Sequence, residues 1–357
     1  MKSTLVCITI SRLENTLRSV AAFVLRVEPS NPHGKTQRKN SVVVMPVPER
    51  GARAFHSPAV DHLLRSLLLP MLLLLLLLLL LPAGRAAVVG DFNQVQHCKD
   101  FLYMGTPPRG YLSSDSFTKI CQHYEDQPRY VTLYDARRRI PIYSAYTFKK
   151  SDGEKTVDLP WMFEPQLVSD KGSSNMTPFG QSSSAYTPPD LEDSQATLED
   201  YAEAIRYERG QLNPVGHQAD PSDKASTYTL TNVVPQTREL AGSWAQHQWL
   251  VRKRLNNFCG GQAFVVTGVT DSGSTIRRGN VDRVAVPDYV WSAYCCANFD
   301  RNAPYSERYK FPAFAAYGPN DQANGQVLEV PLKSLEKFLA GRMAVNHNFQ
   351  LFYNDCM

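Results

Sequence analysis

Between Tyr207 and Trp249 the chain gathers side chains able to handle an anionic substrate. Glu208-Arg209-Gly210-Gln211 sets a permanently charged guanidinium, suited to phosphate, two residues before an amide that cannot take a proton from water. His217 follows six residues past Gln211, with Asp220 and Asp223 close behind. An imidazole that titrates near neutrality beside two carboxylates has the composition of a general base with oxygen ligands for a hard divalent cation. The same residue types also serve as turn formers and solvated groups in loops, which is the simpler assignment here. His247 shares a predicted helix with Glu239 and lies between Trp244 and Trp249, where a partly buried structural role suffices.

Tyr207-Glu208-Arg209-Gly210-Gln211-Leu212-Asn213-Pro214 and Thr231-Asn232-Val233-Val234-Pro235-Gln236 together resemble the signature of the DNA/RNA non-specific endonucleases. In that signature Asp-Arg-Gly-His is followed by Leu-(Ser/Thr)-Asn-x-x-Pro-Gln and a metal-holding helix. The resemblance covers roughly residues 91–357 by motif order. Segments at Gly105-Thr106-Pro107-Pro108, Ile140 to Tyr146, Trp161 to Leu167 and Val286 to Trp291 are similar to a secreted vertebrate branch, the endonuclease domain-containing 1 proteins. The implied fold is α+β, of the ββα-metal (His-Me finger) type, with a central antiparallel sheet, flanking helices and disulfides.

The resemblance assigns roles that this chain only partly fills. The family's His after Arg-Gly is a general base on water, and an Asn on the next helix holds one hydrated Mg²⁺. Glu208 stands for the family's Asp, Arg209 and Gly210 match, and Gln211 replaces the His. Asn232 and Pro235-Gln236 match, but the metal-binding Asn falls at Ala241 or Gly242, and the helical Glu at Gln248. The Arg expected shortly before Trp161 is absent from Val157 to Pro160. Loss of a general base alone typically costs about 10²–10⁴ in rate. Loss of metal costs several kcal/mol more of charge stabilisation.

The expectation is a nuclease fold with impaired catalysis. It would be retained to bind nucleic acid, DNA or RNA, through Arg209 and the Arg137–Arg139 turn, or to bind a protein. The catalytic motif positions are then Glu208, Arg209 and Gln211, with His217 as a replacement base. Asn232, Gln248 and Asp220 are the candidate metal positions. Mg²⁺ is the expected cofactor if the protein is active, and none if it is not. The rival is a divergent Mg²⁺-dependent endonuclease with its base relocated to His217. A protein-interaction module is the third possibility.

Several elements must position these groups. Tyr130 to Tyr134 and Ile140 to Phe148 are β-branched and aromatic runs around a polar turn, which predicts a hairpin. The arginines of that turn, Arg137 to Arg139, suit solvent better than phosphate. Leu191 to Arg206 reads as a helix begun by Asp190. Thr237 to Asn257, with Leu240, Trp244, Trp249, Val251 and Leu255, reads as an amphipathic helix ending at a glycine cap in Gly260-Gly261. Ala263 to Val269, Val284 to Val286 and Tyr289 to Tyr294 read as strands, Asp271 to Gly273 as a turn, and Lys333 to Phe338 as a short helix. Asp91 to Tyr124 reads as a loop-rich entry segment tied by disulfides. These strands and helices make an α+β domain.

Leu67 to Leu81 is an almost pure leucine run of fifteen residues, followed by small residues up to Ala86-Ala87. It is short for a membrane span, which needs about twenty residues, and fits a cleaved signal peptide. The expected division is an N-terminal extension over 1–65, a signal peptide over 66–86, and a secreted domain over 87–357 without a membrane span. The leader through Ala86 holds 11 basic and 4 acidic residues; from totals of 38 and 34 this leaves 27 basic and 30 acidic for the domain. Such a balance lacks the global footprint of a protein gripping many phosphates. Cys98, Cys121, Cys259, Cys295, Cys296 and Cys356 are an even set, expected in disulfides, with the vicinal pair going to different partners. Asn175-Met176-Thr177 is a glycosylation sequon in a Ser/Gly/Pro-rich tract expected to be an exposed loop.

Overall fold

The computed structural model describes residues 87–357 apart from residues 96, 112–113, 155–158, 181–187, 203 and 271–272. The expected N-terminal extension and signal peptide, and the first two residues of the turn at Asp271, lie outside the described residues.

Eight strands make one fully antiparallel sheet. Their spatial order is Val88–Val89, Phe117–Tyr124, Gln127–Asp135, Ile140–Phe148, Ala263–Val269, Tyr289–Cys295, Ala313–Pro319 and Leu328–Val330. The predicted hairpin and the two later strands are therefore neighbours at its centre. Both faces of the sheet are covered, which explains why its strands are apolar runs rather than clean alternations. On one face Leu133, Ala145, Val266 and Ala293 pack with Leu335 and Leu339 of helix Leu332–Ala340. On the other, Tyr146, Phe148, Val265 and Tyr294 pack with Val251 and Leu255 of the long helix Arg238–Phe258.

The motif forms a hairpin and a helix beside this sheet. Strand Tyr207–Gln211 pairs with Val233–Thr237 in the register Glu208 to Gln236, Gly210 to Val234 and Gln211 to Val233. The helix starts immediately after, with the Thr237 hydroxyl accepting from the Leu240 amide at 3.3 Å. That cap contributes about 1 kcal/mol. Leu240, Trp244, His247, Val251 and Leu255 are its buried stripe, at the spacing of one helical face. Gly210 is required where it stands, because a Cβ there would lie 2.2 Å from Cδ of Gln236.

Some expectations need correction. Phe117–Tyr124 is a core strand in the segment read as loop-rich; Ile120, Cys121, Gln122 and His123 are buried there, and the Gly/Pro breaks upstream hid it. The helix expected over Leu191 to Arg206 is two short helices, Pro188–Ser194 and Leu198–Ala202. Gln195, Ala196 and Thr197 are buried between them, and Thr197 donates its amide to Asp200, an acid that also binds Arg283 at 2.8 Å. The long helix ends at Cys259 in extended backbone, and the amides of Gly260 and Gly261 turn to the Asn298 carbonyl instead of forming a glycine cap. Asn175 is half-buried rather than on an exposed loop. Its amide exchanges two 2.9 Å hydrogen bonds with Asp126, Met176 is buried, and Thr177–Pro178 is a short strand.

The six cysteines form Cys98–Cys121, Cys259–Cys296 and Cys295–Cys356. The vicinal pair does go to different partners, because neighbouring strand residues point to opposite faces of the sheet. Cys295 joins the cluster under helix Leu332–Ala340, and Cys296 the cluster under the long helix. Among the described residues no helix is long and apolar enough to cross a membrane.

Candidate functional site

Asn232 is fully buried and uses its whole amide inside the fold. Its Oδ1 accepts from the Ser144 hydroxyl at 3.0 Å and the Asn213 amide at 2.9 Å, while its Nδ2 donates to the carbonyls of Asn213 and Thr227 at 3.0 Å each. It ties the end of the motif strand to the sheet and to the loop before its partner strand. An amide with two acceptor and two donor contacts has nothing left for a cation, so Asn232 is a structural clip and not a metal ligand.

His217 is equally committed. Its Nε2 lies 2.9 Å from the Gln248 carbonyl, an acceptor only, so Nε2 donates and Nδ1 accepts from the Tyr146 hydroxyl at 2.9 Å. Burial lowers its pKa to about 4, partly opposed by the bond to the Gln248 carbonyl. Both nitrogens are engaged, so the replacement base expected here has no lone pair to offer. Its supposed companions are elsewhere. Asp220 caps helix Pro221–Ser226 by accepting from the Ser222 and Asp223 amides, and Asp223 pairs with Arg129 at 3.0 Å. His247 is buried against the Trp244 ring, and burial lowers its pKa to about 4 as well.

Above these groups the motif hairpin and the long helix enclose a cleft of about 360 Å³. Glu208, Arg209, Gly210 and Gln211 form one wall, with Gln236 behind them. Ala241, Ala245, Gln248 and Arg252 form the other, one helical stripe whose two alanines leave the space open. Arg209 is exposed, and its guanidinium lies 4.7 Å above the Trp161 ring, an arrangement worth about 0.5–1 kcal/mol at such a site. Arg252 is braced by donating to the Ser151 carbonyl at 2.8 Å. Trp249 is 49% exposed at the rim with Lys253 over its ring at 5.3 Å. Two buried donors lining the cleft, Gln236 Nε2 and Trp244 Nε1, have no hydrogen-bond partner.

Gln211, in the position of the family's base, donates its amide to the Thr227 carbonyl at 2.9 Å and receives the Val215 amide at 3.4 Å. Gln248 donates its side chain to the Gln211 carbonyl at 3.3 Å. The donor set does not suit a hard cation. Arg209, Arg252 and the two unpartnered N–H groups favour an anion, Glu208 is the cleft's one carboxylate, and among the described residues no three His, Cys, Asp or Glu gather to hold a metal. Asn232, Gln248 and Asp220 do not converge. Nor do Arg137 to Arg139 join Arg209: Arg139 donates to the Glu192 and Arg283 carbonyls, and Arg138 lines a different cavity.

Sequence reasoning also missed Glu164, a fully buried acid beneath the site. Burial raises its pKa to about 8 against the hydrogen bonds from Thr229 and Thr231, so it is mostly protonated at neutral pH. From it a buried polar chain passes through Thr229, Thr231, Gln122, Thr132 and Ser144 to Asn232. No local pattern announces such a group. The cleft stripe, in contrast, was visible as small and polar residues at positions 241, 245, 248 and 252 of a predicted helix.

Residues 110–351 match the sequence profile of the DNA/RNA non-specific endonuclease family. Two relatives are each an endonuclease domain-containing 1 protein. The Homo sapiens one is 36% identical over 204 residues, covering 56% of this chain and 39% of its own length. The Mus musculus one is 30% identical over 263 residues, covering 72% of this chain and 47% of its own. The chain spans less than half the length of these curated relatives. A chain from the crystal structure of the EndoG/EndoGI complex overlaps 72% of this chain and 94% of its own at 17% identity, with a TM-score of 0.41, too loosely to argue from.

Proposed function

The chain belongs to the DNA/RNA non-specific endonuclease family, and from that premise we propose that it is a secreted protein that binds nucleic acid through the family's cleft with impaired hydrolysis. One observation carries the reading: the cleft combines Arg209, Arg252 and two unpartnered buried donors with an exposed tryptophan, while Gln211 occupies the place of the base. Phosphate oxygens would satisfy the donors, and a base would stack on Trp249, the pairing of basic groove and aromatic platform that suits single strands. The engagement of both His217 nitrogens weighs against the rival with a relocated base. Secretion draws support from three disulfides, which persist in oxidising compartments.

The test is anisotropy of a fluorescent single-stranded oligonucleotide titrated with the purified chain, beside a cleavage assay in Mg²⁺, in Mn²⁺ and in EDTA. Binding that falls with salt and weakens about tenfold in Arg209→Ala, without cutting, is the expected result. Metal-dependent cutting that disappears in His217→Ala would overturn it in favour of the divergent nuclease. Absence of any binding would leave the cleft to a protein partner.

A further inference from the structure

A second cavity, of about 430 Å³, shares no residue with the cleft. It opens at the end of the sheet, where the Asp135–Arg138 turn, the end of strand Ala263–Val269 and the segment after helix Leu332–Ala340 meet. Its volume sits in the lower part of the roughly 300–1,000 Å³ range typical of small-molecule sites. We propose that this cavity binds a small amphipathic monoanion, a carboxylic acid with a compact apolar body.

The body would lie against Phe117, Ile140, Ile142, Val269 and Met343, all of which line the cavity. The head would meet Arg342. Its guanidinium rests on the rings of Phe338 at 4.6 Å and Tyr289 at 4.9 Å, and no carboxylate pairs with it among the described residues. A guanidinium held flat on rings keeps its edge N–H groups for a planar, two-pronged acceptor, the geometry of a carboxylate. Arg138 reinforces the positive rim. Its backbone is fixed by donating to Asp135 Oδ1 at 3.2 Å and by accepting from the Ala285 amide at 3.0 Å.

The wall also contains an unmet hydrogen-bonding group. The Tyr111 hydroxyl is buried and finds no partner, although its ring packs on Tyr143 and Phe349. Such a group costs stability until something answers it, and a ligand oxygen would do so. Charge chooses the class. Two arginines and Asp135 are the ionic groups of the lining, so the site carries one net positive charge. Asp135 is itself buried and already accepts from the Arg137 and Arg138 amides. A monoanion balances this lining, whereas a phosphate dianion would overload it beside a buried carboxylate.

The test is calorimetric titration of the full chain with decanoate below its micellar range, beside decanol and decylamine. One decanoate per chain is expected, with decanol at least tenfold weaker and decylamine silent. Arg342→Ala should weaken decanoate by about 10–100-fold, as for the loss of a charge-assisted pair. Met343→Trp, which plugs the cavity from a half-buried position, should abolish binding. Tyr111→Phe should weaken binding by about three- to tenfold while leaving the melting temperature of the free protein unchanged or raised, because its hydroxyl has no partner to lose. Absence of decanoate binding by a wild-type chain of normal melting temperature would overturn the proposal. So would equal affinities for decanoate and decanol, or an Arg342→Ala variant that binds as tightly as wild type.

Discussion

The two sides of the motif hairpin use the same kinds of atoms in opposite ways. Below it, Asn232 spends two acceptor and two donor contacts on the protein itself, and His217 spends both ring nitrogens. Above it, Gln236 and Trp244 are buried yet hold donors with no partner, beside two arginines. A saturated polar group rigidifies a fold, and an unsaturated one at a cleft is kept for a visitor. Residues of one short motif are thus divided between holding the hairpin and facing a ligand, and only the lower set explains why the hairpin stays where it is.

The sharpest break in that comparison would come from Asn232→Ala. It removes one partner from each of four buried groups and should cost about 4–5 kcal/mol, read as a lowered urea midpoint at unchanged slope. A loss under about 1 kcal/mol would show that the clip is dispensable.

Next in size is the pH dependence contributed by Glu164. Its carboxyl loses its proton near 4.5 in the unfolded chain but near 8 in the fold. Between those values the native state holds the extra proton, so stability falls as pH rises, by about 4 kcal/mol at pH 8. Glu164→Gln should flatten that slope, as followed by denaturation at pH 5 and pH 8; an unchanged slope would mean that the acid is already ionised in the fold.

His217 and His247 act in the other direction. Each titrates near 6.5 when unfolded and near 4 when folded. The unfolded chain therefore takes up protons first, and stability falls as pH drops through that window, by up to about 3 kcal/mol for each. Replacement of His217 by Gln should reduce the acid sensitivity; if the variant titrates like wild type, the imidazole is solvated rather than buried.

The smallest effect is expected from Gln211→His, at the half-buried edge of the cleft, with a stability change under about 1 kcal/mol. A metal-dependent nuclease activity in that single variant would show that the cleft already contains the remaining machinery, against the donor set seen there.

Much of this protein was legible in order along the chain. The Tyr207–Gln211 and Val233–Thr237 strands, the long helix behind them and the central strands follow from β-branched runs, helical periodicity and a capping threonine, all of which act over a few residues. The even cysteine count and the separate fates of Cys295 and Cys296 were likewise local matters of number and strand alternation. What only the tertiary structure decided was the occupation of each polar group. Asn232 is a plausible ligand by type until Ser144, 88 positions away, takes its oxygen, and His217 a plausible base until Tyr146 and Gln248 close on its ring. Glu164 is an ordinary acid until burial withholds water from it. Residue type fixes what a side chain can donate or accept, but long-range packing decides whether that capacity is spent inside the fold or left open at its surface.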